Sequence, residues 1–400
     1  MNPIIFHIDV NSAYLSWTAV RLLQQGHPVD IRTTLSAIGG DKATRHGIIL
    51  AKSIPAKAYH VTTGEPVVSA LKKCPELELF PPDHKYYHEC SRRLMEHLSS
   101  YTPEIEQLSV DECFMNFTSI QNQYASPEEA AHIIKGSVRD TFGFTVNIGI
   151  STNKVLAKMA SDFKKPDLVH TLYPHEIRSK MWPLPVSELY MAGKSSVRTL
   201  YNIGITTIGE LAQAPLDLVC LHLKSHGKTL WEYANGIDNS PFVSAPAKEK
   251  GIGNSTTLSA DATTREAAAP VLLTLAESVA KRLRAASYQA SMVSVELKYN
   301  DFTRVSHQTQ LSTPTDNSTT LYQTALTLFD QLWNGTPIRL LGIRTSKLTD
   351  HNEPVQLSLF DMVDERSEKL KKLDMAMDSI RQKYGKDSVT RARFLDSTDE

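Results

Sequence analysis

Three carboxylates of the sequence stand where strands are predicted to end. Asp9 follows the apolar run 4–8, and the adjacent Asp111 and Glu112 separate two apolar segments. Mg²⁺ takes oxygen ligands, and carboxylates from separate strands together with substrate phosphates make a usual site for it. Consecutive residues of a straight strand point to opposite faces, so the adjacent pair can share one site only if the chain bends between them. Ordinary acidic turns of a hairpin would look the same.

Basic residues recur in a predicted helix that begins near Asn153. A rotation of about 100° per residue groups its apolar side chains on one stripe and places Lys154 and Lys158 on the opposite side. Lys165 is expected just past the end of the helix, because the residue before a proline disfavours helical geometry. A solvated helix face would account for the same pattern.

The elements that would position these groups belong to a chain of 400 residues, a length that favours two to four domains. Hydrophobic residues make up 41% and charged residues 22%, which excludes wholesale disorder and fibrous repeats. The 43 basic and 44 acidic residues give a formal net charge of −1, so any surface for a polyanion has to be local. The four cysteines form no CxxC pair, which argues against a zinc knuckle or a disulfide framework.

Hydropathy gives no sign of a membrane segment. No apolar run approaches the roughly 18 residues that span a bilayer, and the first residues carry no basic leader. We therefore expect no membrane association and a cytoplasmic location.

Composition changes along the chain predict its organisation. The Gly- and Pro-punctuated stretch 32–85 predicts short strands and helices inserted into a larger unit. Segment 174–238 predicts a small helical domain, and 251–348 alternates in the order β-α-β-β-α-β, a compact α+β unit. After residue 350 the composition is charged. Residues 364–384 have helical periodicity, for which we prefer a solvated helix to a second docking element.

Taken in order, these segments resemble those of the Y-family translesion DNA polymerases, and of their bacterial branch in particular. The resemblance covers nearly the whole chain. Ile8–Tyr14 is similar to the opening motif, whose Asp binds metal and whose aromatic residue five positions later is the steric gate, here Tyr14. Leu108–Phe114 is similar to the second acidic motif, and Asn153–Asp167 to the basic helix and its following loop.

The resemblance implies a metal site with two Mg²⁺ ions. Asp9 and Asp111 would bridge both ions. Glu112 would hold the ion near the primer, and the backbone carbonyl of Val10 would complete the ion on the nucleotide side.

It also implies how a dNTP would be bound. Lys57 of the fingers motif, Lys158 and Lys165 would neutralise the triphosphate. The fingers motif often has a Tyr at the position of Ile54. The ring of Tyr14, packed under the sugar, would leave no room for a 2′-hydroxyl, although a core aromatic on an amphipathic helix would fit the same position.

The implied architecture is a multidomain α+β right-hand polymerase. Its palm would comprise residues 1–170, with fingers inserted at about 15–80. A helix-hairpin-helix thumb would follow at 171–240, a βαββαβ little finger at 241–348, and a tail with a clamp-binding motif at 349–400.

DNA contacts are expected in the thumb and the little finger. Gly193 and Lys194 lie at the thumb hairpin, whose usual first glycine is replaced by Met191. Lys298 and Arg304 lie on the polar faces of two alternating strands, where such side chains suit phosphate contacts. A merely solvated sheet face would look the same.

The apolar cluster QLSLF is similar to the pentapeptide by which bacterial polymerases dock on the sliding clamp. Its residues are Gln356, Leu357, Ser358, Leu359 and Phe360. Five residues can recur by chance, but this set lies in a polar tail just after a DNA-binding domain. The implied partners are primer-template DNA, a dNTP and the clamp, and the chain is expected to be a monomer.

The implied reaction is the attack of a primer 3′-hydroxyl on the α-phosphate of a dNTP by a template-directed, low-fidelity polymerase that copies past damage. Positioning and charge neutralisation carry such a reaction. A non-catalytic accessory factor that binds DNA and the clamp is the main alternative, but it gives no reason for the three acids to occur together. A palm-type nucleotidyl cyclase would leave the thumb, the last domain and QLSLF unexplained.

Overall fold

The computed structural model describes residues 3–40, 47–243, 248–350, 365–385 and 388–389. These residues form two compact units, one ending at residue 243 and the other beginning at residue 248. In the part of the chain so described, every helix is too short or too polar to cross a lipid bilayer. The domain boundaries given above stay predictions.

The first unit combines two sheets with helices. Its strands are β1 (Ile5–Val10), β2 (Ser36–Gly39), β3 (Ile49–Lys52), β4 (Glu78–Phe80), β5 (Ile105–Gln107), β6 (Glu112–Asn116), β7 (Val146–Ser151) and β8 (Val169–Thr171). Its α-helices are α1 (Ala13–Gln24), α2 (Ile54–Ala58), α3 (Val67–Lys73), α4 (His84–Ser99), α5 (Pro127–Phe142), α6 (Lys154–Asp162), α7 (Lys194–Asn202), α8 (Ile208–Gln213) and α9 (Leu216–Ala234).

A five-stranded sheet in the order β5-β6-β1-β7-β8 forms the centre of the first unit. Strand β1 pairs antiparallel with both β6 and β7 and is buried almost throughout, as expected for a strand covered on both faces. The strand predicted from the apolar run 4–8 is therefore confirmed. Strands β5 and β6 form the hairpin predicted around the acidic pair.

Helix α6 packs closely on this sheet because β7 carries a glycine. A Cβ atom at Gly149 would collide with the carbonyl oxygen of Ala157 and the amide of Ser161 in α6. The apolar stripe predicted for this helix is buried. The side chains of Lys154 and Lys158 are each 13% exposed, so the opposite face is not simply solvated.

A smaller sheet in the order β3-β2-β4 occupies the region where an insertion of short elements was predicted. Helix α2 begins after Ser53, whose hydroxyl accepts a hydrogen bond from the amide of Ala56. This cap fixes the start of the helix that carries Ile54 and Lys57.

Short helices fill the segment 174–238, as predicted. Thr207 and Glu210 form a capping box at the start of α8. Met191, at the place of the usual glycine, has a φ of 69°, in the left-handed region that glycine adopts without strain. The chain therefore keeps the turn before α7 although it lacks the glycine.

The second unit contains β9 (Gly251–Ala262), α10 (Arg265–Ala285), β10 (Tyr288–Tyr299), β11 (Arg304–Thr315), α11 (Ser318–Leu332), β12 (Ile338–Asp350) and α12 (Glu365–Tyr384). Up to β12 this is the predicted β-α-β-β-α-β order. The strands form one antiparallel sheet in the order β11-β10-β12-β9. Helices α10 and α11 share an apolar core with that sheet.

Helix α12 is not the solvated helix that we expected for residues 364–384. Asp374 is only 4% exposed. Its carboxylate accepts hydrogen bonds from the amide and hydroxyl of Ser318, at the start of α11, and from the side-chain amide of Asn317. Arg284 of α10 pairs with both Asp374 and Asp378. The expectation was wrong for this face of α12, because Asp374, Asp378 and Arg381 find partners on α10 and α11, whereas most other described side chains of the helix are exposed.

Candidate active site

Asp9 and Glu112 lie opposite each other on the neighbouring strands β1 and β6. Asp111 precedes β6 in a bend, and its carbonyl oxygen accepts a hydrogen bond of 3.0 Å from the amide of Val10. Its carboxylate accepts one of 2.6 Å from the hydroxyl of Ser109. The bend thus supplies the change of direction that the adjacent acids need, and the three acids meet at one end of the sheet.

Two lysines pair with these carboxylates. The ammonium group of Lys165 contacts the carboxylate of Asp9, and that of Lys158 contacts Glu112. Lys165 Nζ also lies 2.9 Å from an oxygen of Asp162. Each lysine therefore balances a negative charge where a metal cation could bind.

His7 is a buried neighbour of Glu112. Its Nε2 lies 3.2 Å from Oε2 of Glu112, and its Nδ1 lies 2.8 Å from Oγ of Ser161. Burial alone would raise the pKa of Glu112, but hydrogen bonds with His7 and Lys158 lower it to about 2. Burial lowers the pKa of His7. At neutral pH an ionised Glu112 therefore lies beside a neutral imidazole.

The net shift of the pKa of Asp9 is opposite to that of Glu112. Burial raises its pKa, and the charge of Lys165 opposes that rise only in part. Burial acts to lower the pKa of Lys165, but Asp9 and Asp162 raise it overall. A further cation beside Asp9 would favour its ionised form.

Buried asparagines fix the loop that carries Lys165. The side-chain amide of Asn147 in β7 donates a hydrogen bond of 2.6 Å to the carbonyl oxygen of Lys164. The side-chain oxygen of Asn11, just after β1, accepts one of 2.9 Å from the amide of Asp167. The two asparagines also bond each other at 3.1 Å. The central sheet thus places Lys165 over Asp9.

A cleft of about 650 Å³ opens at these groups. The predicted site residues that line it are Asp9, Val10, Tyr14, Lys57, Asp111 and Lys165. Ile54, which is 65% exposed, lines it as well. Glu112 and Lys158 are not lining residues and pair with each other instead. Lys158 contacts Glu112 in this structure, and its role at the triphosphate stays a prediction.

Lys52 also lines the cleft, and the sequence motifs did not predict a role for it. Burial lowers its pKa, and the positive charge of Lys57 lowers it further. With Lys165, these residues place three lysines around one cleft. Such a concentration of positive charge favours a polyanionic ligand.

The sequence pattern around His7 and Asn147 indicates in part that these residues belong to the site. His7 stands two positions before Asp9, so strand alternation puts both on one face. Asn147 is the polar residue within the otherwise apolar run 146–150 of β7. Their partners could not be found in this way, because the Asn11–Asn147 contact joins residues 136 positions apart.

The donor set suits a hard divalent cation. Asp9 and Asp111 present carboxylates to the cleft and Glu112 adds another on the next strand, and such oxygens are the ligands of Mg²⁺. Within the described residues, His, Cys, Asp and Glu side chains do not gather in threes around one point. In this structure the carboxylates of Asp9 and Glu112 instead pair with Lys165 and Lys158.

The predicted DNA contacts of the second unit lie on its sheet. Lys298 on β10 is the cross-strand neighbour of Arg304 on β11. Arg304 pairs with Glu296 at 2.9 Å, and together with Arg282 and Arg344 it lines a polar cleft of about 810 Å³. The cleft therefore brings together arginines from β11, β12 and α10.

The predicted thumb contacts are at the start of α7 in the first unit. Gly193 is the residue that precedes the helix, and Lys194 is its first residue. A glycine at a helix start exposes main-chain amides to an approaching phosphate.

Two family models match the sequence. The model of the impB/mucB/samB family matches residues 8–162, and that of the same family's C-terminal domain matches residues 249–359. Together they cover more than half of the chain. The chain belongs to the impB/mucB/samB family.

Relatives of this impB/mucB/samB protein are similar to it over nearly its whole length. DNA polymerase IV of Clostridium acetobutylicum is 46% identical over 401 residues, which cover 100% of both chains. DNA polymerase IV of Alkaliphilus oremlandii is 36% identical over 99% of this chain and 100% of its own. DNA polymerase IV 1 of Bacillus subtilis is 34% identical over 98% of this chain and 93% of its own.

The fold of this family member is also that of a solved structure. A Y-family DNA polymerase chimera of Dbh and Dpo4 aligns with a TM-score of 0.74 at 18% identity, over 87% of this chain and 99% of its own. The predicted α+β right-hand fold class is thereby confirmed. With the family models and the relatives, the prediction of a Y-family translesion DNA polymerase is confirmed as well.

Proposed function

We propose that the chain uses the cleft at Asp9 and Asp111 to add dNTPs to a primer 3′-end under the direction of a template strand, including a damaged one. The observation that carries this proposal is that carboxylates suited to metal ions and three lysines suited to a triphosphate line one cleft. This combination fits phosphoryl transfer, in which positioning and charge neutralisation supply most of the rate.

The metal ligands in this proposal are carboxylates and one carbonyl. Asp9 and Asp111 would hold two Mg²⁺ ions jointly, Glu112 would complete the site on the primer side, and the carbonyl of Val10 would complete it on the nucleotide side. When bound, the ions stabilise the attacking oxygen and the leaving pyrophosphate. Lys158, which contacts Glu112, would keep that carboxylate ionised and in place.

Lys57 and Lys165 would bind the β and γ phosphates. Hydrogen bonds between such charged groups are roughly twice as strong as neutral ones. Lys165 contacts Asp9 in the structure, so we expect it to exchange this carboxylate for phosphate oxygens when metal and nucleotide arrive. Lys52 would add positive charge to the same end of the cleft.

Tyr14 would act as the steric gate. It lines the same cleft as Asp9 and Val10 and is partly buried, which limits the movement of its ring. A ring beneath the sugar excludes a ribonucleotide by overlap with the 2′-hydroxyl.

Primer-template DNA would be held along its phosphates by Gly193 and Lys194 in the first unit and by Lys298 and Arg304 in the second. Contacts of this kind position DNA without reading its sequence. They also make binding salt-dependent, because bound phosphates release counterions.

Docking on a bacterial sliding clamp through Gln356–Phe360 is proposed from the sequence alone, since these residues lie outside the described ones. We propose further that the chain acts as a monomer. The cytoplasm, which holds both DNA and dNTPs in a bacterium, is the proposed location.

Primer extension with Mg²⁺ tests the proposal, on an intact template and on one with an abasic site. The native chain should extend both primers, and an Asp111→Ala, Glu112→Ala double variant should extend neither while its affinity for primer-template DNA stays native. A native chain that binds DNA and clamp but extends neither primer would instead support the accessory-factor alternative.

A further inference from the structure

The ring of Tyr14 is stacked on the ring of Tyr87. The two centroids are 4.5 Å apart and the planes differ by 11°. Tyr87 lies in α4 and is 1% exposed, whereas Tyr14 lines the cleft. The pair therefore links the wall of the cleft to the packed core beneath it.

Hydrogen bonds fix the supporting ring. The hydroxyl of Tyr87 lies 2.8 Å from Oγ1 of Thr18, and that Oγ1 donates a hydrogen bond of 2.8 Å to the carbonyl oxygen of Tyr14. A threonine hydroxyl has one hydrogen to donate, so Tyr87 is the donor to Thr18. The hydrogen bonds thus run from the supporting ring back to the main chain of Tyr14.

One face of α1 makes these contacts with α4. Tyr14, Thr18 and Arg21 are spaced by four and three residues, so they lie one above the other. Arg21 pairs at 2.5 Å with Asp83, and Asp83 caps α4 by accepting a hydrogen bond from the amide of Tyr86. The two helices are therefore held in one register along the length of this face.

His84 contacts the stacked pair at its edge. Its ring is nearly perpendicular to that of Tyr14, with centroids 6.0 Å apart, and has the same relation to Tyr87. His84 itself is exposed. The ring of Tyr14 is thus restrained on one face by Tyr87 and at its edge by His84.

We propose that Tyr87 is a positioning residue for sugar discrimination, assisted by His84. Tyr87 sets how far the ring of Tyr14 protrudes into the cleft, and His84 limits its sideways movement. The inference rests on the proposed role of Tyr14 as the steric gate. A hydroxyl is small, so a gate whose ring can tilt or recede admits a ribonucleotide even though the gate residue is intact.

The test compares kcat/KM for dCTP and CTP opposite a template guanine, using the full chain. Tyr87→Leu, which removes the ring, should lower the dCTP-to-CTP ratio by up to about tenfold, mainly through a higher kcat/KM for CTP. Tyr87→Phe keeps the stacked ring and should retain most of the native ratio. His84→Ala changes an exposed residue and should lower the ratio about twofold, so it carries the test if Tyr87→Leu does not fold.

A second stacked pair supplies the matched control. Phe6 and Phe117 stack in the same core with centroids 4.5 Å apart and planes 15° apart, but neither lines the cleft. Phe117→Leu should lower the unfolding temperature as Tyr87→Leu does and leave the dCTP-to-CTP ratio native. A fall of the ratio in both variants would show a general effect of core damage and overturn the inference.

Tyr14→Ala, measured in parallel, distinguishes the role of Tyr14 as the gate from the role of Tyr87 in positioning it. If it leaves the ratio native, the gate assignment itself fails. If it lowers the ratio while Tyr87→Leu and His84→Ala both keep the native value, the gate stands and the positioning role of Tyr87 is wrong.

Discussion

Glu106 and Glu112 lie on the two strands of one hairpin, and each pairs with a lysine of α6. Glu106 pairs with Lys154 at 3.0 Å, and Glu112 pairs with Lys158 one turn further along. The two glutamates are 19% and 21% exposed and both lysines 13%, so the pairs are closely matched in burial. They differ in their other neighbours: Glu112 faces Asp9 across the β1–β6 ladder and contacts His7, whereas Glu106 accepts a hydrogen bond from the amide of Val243.

We predict that Glu112→Gln abolishes primer extension and that Glu106→Gln does not. Each substitution removes one charge from an equivalent ion pair, but only Glu112 is placed to complete the metal site. Loss of Glu112 should lower kcat by more than about a hundredfold, since even residues that only support a metal ligand cost 10- to 100-fold. Single-nucleotide incorporation with Mg²⁺ measures this.

The Glu106 variant is the control for the fold. If both variants lose activity to the same extent, the loss reflects a disturbed hairpin, and Glu112 has no special role. Circular dichroism of both variants should match that of the native chain.

Lys165→Ala should raise the KM for dNTP by about ten- to a hundredfold with a smaller effect on kcat. Hydrogen bonds to charged groups are worth about 1.5–3 kcal/mol, and the substitution removes one from the triphosphate. Steady-state kinetics over a range of dNTP concentrations measures the effect. Lys164→Ala removes the neighbouring exposed lysine and should keep the native KM. An unchanged KM in Lys165→Ala would exclude the triphosphate contact.

Glu210 makes the stability of the helical segment around α8 depend on pH. Hydrogen bonds from Thr206 and Thr207 lower the pKa of Glu210 to about 2. A carboxylate whose pKa is lower in the folded state than in the unfolded state stabilises the fold at pH values above its unfolded-state pKa. This stabilisation is lost as the pH falls toward its folded-state pKa. Native protein should therefore unfold at a higher temperature than Glu210→Gln at neutral pH.

The difference in unfolding temperature between native protein and Glu210→Gln should shrink from about pH 5 to about pH 3.5. Glu188→Gln changes an exposed acid of the same region and serves as the control. A difference that stays constant over this pH range would rule out the carboxylate cap as its cause.

Asp374→Ala should destabilise the second unit by about 2–3 kcal/mol, because it removes the buried carboxylate that accepts from the amide of Ser318 and pairs with Arg284. Thermal unfolding of the full chain, together with the rate of proteolytic cleavage within α12, measures the loss. Asp378, the other carboxylate that pairs with Arg284, is 23% exposed. Asp378→Ala should therefore lower the free energy of unfolding by about 1 kcal/mol or less. Equal effects of the two variants would contradict the special role of Asp374.

Most of the fold could be predicted because its signals are local. The buried run at β1, the acidic hairpin and the β-α-β-β-α-β order depend on apolar patterns within short windows. The packing of α12 could not be predicted, because the partners of Asp374 at Asn317 and Ser318 are more than 50 positions away.

The site was predictable in its composition and less so in its contacts. Asp9, Asp111, Tyr14, Lys57 and Lys165 line one cleft, as the motifs implied. The pairing of Lys158 with Glu112 depends on the close approach of α6 to the sheet, which a single glycine in β7 permits. Spacing alone places a lysine on a helix face but does not say which strand that face will meet.

The anchoring of α12 has a consequence for the segment that precedes it. Residues 351–364 join β12 to α12, and both of these elements belong to the second unit. A chain of this length has a contour of about 50 Å, so with both ends tethered to one body its midpoint can extend no more than about 25 Å from it. If the chain docks on a clamp as proposed, the clamp pocket that takes Gln356–Phe360 would lie within that distance of the second unit. The pocket of such a clamp would have to be open at both ends, because Gln356–Phe360 is an internal stretch of the chain and the chain continues on either side of it.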